Sequence, residues 1–122
     1  MTAKEYLSQA RQLERRIWAL LDRQSKYHEL GAWRARYQGA VGPGAMLALE
    51  RELDGRITEY AERVREIERV IDAVEDGQYR DLLKYRYLNG WSWQQISERM
   101  SFSQDWLWHL HARALQAVRV PE

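Results

Sequence analysis

The chain of 122 residues contains no cysteine. That excludes disulfides, thiolate nucleophiles and cysteine-held zinc, and it fits a reducing compartment. It has two prolines and one phenylalanine against six tryptophans and seven tyrosines, so its aromatic bulk is amphipathic. No apolar run approaches the roughly 20 residues needed to cross a bilayer. The first residues lack the apolar stretch of a signal peptide. No membrane partner is expected, and the expected location is the cytoplasm. An excess of one charge is also missing, since the net charge is +1. Residues 78–122 hold six basic and four acidic residues, a net +2; residues 1–77 hold 13 basic and 14 acidic ones, a net −1. Charge alone assigns no nucleic-acid partner.

The usual machinery of catalysis is missing too. No Ser or Thr stands in a pattern that supplies a positioned base. Gly42-Pro43-Gly44 lacks the preceding strand and the Lys-Ser/Thr of a phosphate-binding loop. His109 and His111 are two apart on an expected helix, so they point roughly 200° apart and cannot share an ion. Carboxylates fall on polar helix faces. No enzyme, metal or cofactor is expected.

What is present is helical periodicity. Ala3, Tyr6, Ala10, Leu13, Ile17, Leu20, Gln24 and Tyr27 alternate spacings of three and four, with Leu7, Trp18 and Leu21 widening the seam. A helix is expected over residues 3–30. Residues 31–44, with four glycines and Pro43, read as a break. Trp33, Arg34, Arg36 and Tyr37 form a basic-aromatic cluster there, either folded back on the helices or serving as a contact arm. Met46, Leu49, Leu53, Ile57, Tyr60, Val64, Ile67, Ile71 and Val74 carry a second seam over residues 45–76, ended by Asp76-Gly77. Two such helices fold back as an antiparallel hairpin. A hairpin alone has little interior, so residues 1–77 are expected to form a homodimer or higher homo-oligomer.

Residues 78–122 read as three shorter helices. Breaks fall at Asn89-Gly90 and at Ser101-Phe102-Ser103. Ser92 with Gln95 has capping-box spacing. Ser103 repeats the cap, and Asp105 lies in the positive first turn that follows. The inward stripes are Leu82, Tyr85 and Leu88; Ile96 and Met100; and Leu107, Leu110, Ala114 and Val118. The last two helices meet at a tight turn, as in a helix-turn-helix.

The string from Leu82 to Gly90, followed by Ser92-Trp93, Ile96 and Ser103, resembles region four of bacterial sigma factors. The string from Trp93 through Trp106, His111, Arg113, Ala114 and Leu115, with the opening Met1–Leu7, is similar to small phage and prophage regulators of the RinA and ArpU type. The resemblance implies a bacterial cell, a transcriptional regulator, late-gene activation and host RNA polymerase as a possible contact. Two positions depart from the sigma pattern. Ser97 replaces a small Ala, and Ser101 replaces the Gly that closes the middle helix, where a left-handed backbone favours glycine. Both departures predict a less stable turn.

The last helix would be the recognition helix. Its outward face holds Gln104, Asp105, Trp108, His109 and Ala112. Gln104 suits adenine, Asp105 suits cytosine, His109 suits guanine or phosphate, and Trp108 suits a thymine methyl or the groove wall. The alternative for Trp108 is packing on a neighbouring helix. Trp106 and His111 read as packing residues. Phosphate contacts are expected from Arg86, Arg99 and Arg113 and from the helix starts at Ser92 and Ser103. Arg86 has an alternative pairing with Glu98, and Arg113 an alternative as a solvated side chain. The expected fold is all-α, a helical hairpin followed by a sigma-region-four-like helix-turn-helix. The expected partner is double-stranded DNA. A small-terminase-like DNA-packaging protein and an RNA polymerase-docking module are the alternatives.

Overall fold

The computed structural model describes the backbone of residues 1–37 and 43–122 and the side chains of residues 1–30 and 44–122. Every regular element among them is helical, as expected. Helices α1 Ala3–Leu7, α2 Gln9–Tyr37, α3 Pro43–Asp72 and α4 Gly77–Leu83 come first. A π-helical turn, Lys84–Leu88, continues α4; α5 Trp93–Met100 and α6 Gln104–Ala117 follow. The residues group into two compact units, Met1–Arg11 with Glu62–Glu122, and Gln12–Ala61. The unit holding the C-terminal helices thus also takes in the first residues and the end of α3. No helix among the described residues is long and apolar enough to cross a membrane.

In the Gln12–Ala61 unit, Ile17 and Leu20 of α2 and Leu49 and Leu53 of α3 form one cluster, with Leu21, Tyr27, Met46 and Tyr60 packed on it. These are seam residues. Trp18 and Ile57 depart from the seam: they are 58% and 47% exposed. Trp18 lies about 100° round the helix from Ile17. Ile57 follows the four-residue step after Leu53 and sits at the rim of its stripe.

The helix boundaries differ from those expected. The first helix is interrupted at Ser8, whose hydroxyl donates to the Lys4 carbonyl at 2.6 Å and competes with the backbone ladder. It then continues past residue 30 to Tyr37. Gly31 costs a helix about 1 kcal/mol relative to Ala, but Ala32, Arg34, Ala35 and Arg36 all favour it and no proline intervenes. The cluster Trp33–Tyr37 therefore lies on helical backbone; its side chains, like the rest of the expected break at 38–42, are outside the described residues. Pro43 occupies the first position of α3, where its missing N–H costs nothing.

At its other end α3 stops at Asp72, four residues short of Asp76. Asp76 is instead the N-cap of α4, its carboxylate accepting from the Gln78 and Tyr79 amides at 2.8 and 3.2 Å. Gly77 is the first residue of α4 rather than a terminator. The Arg80 guanidinium donates to the Val74 and Glu75 carbonyls at 2.6 and 2.8 Å, so the link between the helices has its acceptors filled. Lys84 pairs with Asp72 at 2.7 Å across the same link.

Leu82, Ile96, Leu107 and Leu110 form the core of the C-terminal helices, with Tyr79, Tyr85, Trp91, Trp93, Met100 and Phe102 packed around it. Helix α6 packs on α4, α5 and α1. The π turn changes one stripe. The Asn89 amide donates five residues back, to the Lys84 carbonyl at 2.9 Å. The extra residue rotates the following side chains, so Tyr87 is buried while Tyr85 and Leu88 are half-buried. Leu83 is buried as well.

The α5–α6 turn is built on the two departures from the sigma pattern. Ser101 is left-handed, with φ 59° and ψ 38°, and its amide donates to the Ser97 carbonyl. The Ser97 hydroxyl donates to the Phe102 carbonyl, closing the turn from the other side. Ser97 therefore braces the turn, contrary to the expectation that it weakens it, because its hydroxyl finds a carbonyl that the reversal leaves free. Ser101→Gly should raise stability by about 1 kcal/mol, and Ser97→Ala should lower it by about 1 kcal/mol. Thermal melts of both variants check this; a destabilised Ser101→Gly would mean that the serine makes a compensating contact.

Candidate functional site

Helix α5 begins at Ser92, whose hydroxyl accepts from the Gln95 amide at 3.2 Å while the Gln95 side chain accepts from the Ser92 amide at 2.8 Å. This is the expected capping box. Helix α6 begins at Ser103, whose hydroxyl accepts from the Trp106 amide at 3.1 Å. The two caps fix where each helix starts and hence which side chains share a face.

On α6, Leu107, Leu110, His111 and Ala114 are buried. Gln104, Asp105, Trp108, His109, Ala112 and Arg113 are exposed. Trp108 is 68% exposed, so it does not pack on a neighbouring helix. Trp106 is 43% exposed and meets Phe102 edge-on at 6.5 Å. It was expected to pack inward; it lies about 100° from Leu107 on the helix, which puts it on the flank instead. The outward face thus offers an amide, a carboxylate, an imidazole and an indole, a mixture of donors, acceptors and apolar surface.

The expected basic residues fall into three situations. Arg113 is exposed on the flank of α6. Arg99 is exposed on α5, its guanidinium carbon 4.9 Å from the Trp91 ring centroid. Arg86 is half-buried in the π turn that continues α4. It donates to the Trp91 carbonyl at 2.9 Å and lies over the Trp93 ring at 4.6 Å. None of the described ion pairs joins it to Glu98. Burial, and after it the charge of Arg11, holds its pKa below the ordinary arginine value.

Sequence reading assigned no role to Trp91. Its ring stacks parallel on Tyr85 with centroids 4.5 Å apart and carries Arg99 as well. Gly90, at φ 70°, lets the chain turn so that the Trp91 amide donates to the Tyr85 carbonyl. The signal was available as aromatic and basic residues interspersed from Tyr85 to Arg99, but the ring-over-cation contacts join residues seven and eight apart across the start of α5, which the sequence pattern alone does not reveal.

His111 is buried, as expected of a packing residue. Its Nε2 and the Tyr87 hydroxyl share a hydrogen bond of 2.7 Å, and Trp93 meets its ring edge-on at 4.8 Å. Burial first, then the charges of Lys4 and Arg86, lower its pKa to about 4. The folded chain thus resists a proton that the unfolded chain accepts near 6.5. Stability is full above that value and falls as pH drops toward 4, by about 1.4 kcal/mol per pH unit. His111→Phe should flatten this slope between pH 6.5 and 4 in denaturant titrations. An unchanged slope would assign the acid sensitivity to other groups.

A family model described as a protein of unknown function, DUF1492, matches residues 44–119. No curated protein matches the chain, and no solved structure does. The matched stretch contains every residue of the candidate face, from Arg86 to Arg113.

Proposed function

The chain belongs to the DUF1492 family, and we propose that it is a sequence-specific double-stranded DNA-binding regulator of phage or prophage origin. In this reading α5 and α6 form a sigma-region-four-like helix-turn-helix, and α6 enters the major groove. The observation that carries it is the pair of capped helices joined at left-handed Ser101, with Gln104, Asp105, Trp108 and His109 together on the exposed side of α6. Major-groove readers use the N-terminal part of such a helix against base edges. Arg99, Arg113 and the helix starts at Ser92 and Ser103 hold phosphates. Arg86 shapes the loop, since one of its donors holds the Trp91 carbonyl and its guanidinium lies over the Trp93 ring. Activation of late genes, with host RNA polymerase as a contact, follows the resemblance to RinA- and ArpU-type regulators.

Selection from random duplex DNA tests the reading and returns the site. Gln104→Ala and His109→Ala should each relax preference at particular base pairs, by about 1–3 kcal/mol per lost contact. Arg113→Ala should weaken all duplexes alike and lessen the salt dependence. The reverse pattern would mean that α6 presents a different face.

In the same reading α2 and α3 form an antiparallel hairpin that joins two or more copies. Trp18 and Ile57 are exposed apolar side chains on the two helices, and the cluster beneath them is thin. Two linked copies raise the effective concentration of the second half-site. Light scattering should show a dimer or larger assembly, and Trp18→Glu with Ile57→Glu should dissociate it. A ring of many copies would favour a DNA-packaging role. A chain that binds no duplex would favour a protein-docking module, for which exposed Trp106 and Trp108 are the supporting surface.

A further inference from the structure

The Arg99 guanidinium is exposed, lies 4.9 Å from the Trp91 centroid, and donates none of the described hydrogen bonds. Trp91 is itself held in place. Tyr85 stacks on it at 4.5 Å with an interplanar angle of 3°, its amide donates to the Tyr85 carbonyl at 3.0 Å, and its carbonyl accepts from Arg86. Trp91, Gln95, Glu98 and Arg99 line an open groove of about 290 Å³.

We propose that Trp91 is a positioning residue that presents Arg99 to one phosphodiester of bound duplex DNA. The inference rests on the DNA-binding reading above. A free arginine side chain loses much rotamer freedom when it binds, and one already laid on an indole has lost part of it beforehand. A guanidinium stacked by its face on a ring leaves its edge, with the N–H donors, free for another partner. That edge suits the paired oxygens of a phosphate. Gln95 contributes its free amide N–H groups beside it, since its carbonyl oxygen is committed to the Ser92 amide. Glu98 also lines the groove and carries the opposite charge. It opposes a dianionic phosphate more than a phosphodiester, which bears a single charge. The anion that fits is therefore a backbone diester rather than a free phosphate group. Arg86 and Trp93 form a second cation-ring pair, but that guanidinium is half-buried and already donates to the Trp91 carbonyl, whereas Arg99 is exposed.

The test is a thermodynamic cycle on the full chain, reading affinity for the selected duplex across a range of salt concentrations. Arg99→Ala should weaken binding on the order of tenfold and lower the salt slope by about one counterion. Trp91→Leu should weaken it about two- to fivefold. The double variant should bind no more weakly than Arg99→Ala alone, because without the guanidinium the indole has nothing to present. Trp91→Phe, which keeps a ring face, should recover most of the loss. Arg99→Lys should behave nearly as Arg99→Ala, and this variant leaves the loop intact should Trp91→Leu fail to fold. Additive losses in the double variant, or Arg99→Lys equal to the parent chain, would overturn the positioning role while leaving the DNA-binding reading in place. A parent chain that binds no duplex would overturn both.

Discussion

Everything on the candidate face depends on how α6 is clamped. Leu107 and Leu110 pack with Leu82 of α4 and Ile96 of α5, and Ala114 continues the same buried stripe. Burying a leucine is worth about 1.5–3 kcal/mol, so turning α6 by even one residue would forfeit several such contacts. The helix therefore has one orientation, and the exposed side of α6 is a consequence of the buried one. His111 adds a directional element that leucines lack. Its bond to Tyr87 has one geometry, and a buried polar pair that must meet is intolerant of slippage.

The loop between α4 and α5 is held by a different kind of force. Two arginines lie on two tryptophans, and a tyrosine stacks on one of them. Only part of that surface is withdrawn from water. The loop is thus ordered by ring faces and cations at the edge of the aliphatic core on which those rings pack. This gives the near-neutral chain a way to fix the placement of its few cations without adding more of them.

The sequence made the stripes and caps legible because both are short-range. Leu107, Leu110 and Ala114 repeat at helical spacing, and Ser92-Gln95 is a local pattern. The left-handed residue at 101 was legible through the resemblance, since the sigma pattern has glycine at that position. What escaped was set by distance or competition. Asp76 reads equally as the end of one helix or the cap of the next, and Arg80 decides between them by filling the carbonyls behind it. Ser97 looked like a flaw until its hydroxyl met the Phe102 carbonyl. Trp106 looked inward because the sequence does not show how wide the buried stripe is. Of the candidate face, the residues were legible and their partners were not: nothing local announces that Arg86 is engaged and Arg99 is free.

The π turn at Lys84–Leu88 bears on how this chain is lined up with others. A π turn is an α-helix that has absorbed one additional residue. Leu82 and Tyr87, five apart, are both buried, although a 3.6-residue period would set them on different sides. A chain that shares these helices but lacks the additional residue would pair with this one only if a one-residue gap were opened inside the helix. Placing the gap at Asn89-Gly90, where the eye is drawn by the glycine, would equate Tyr87 with a residue that faces water.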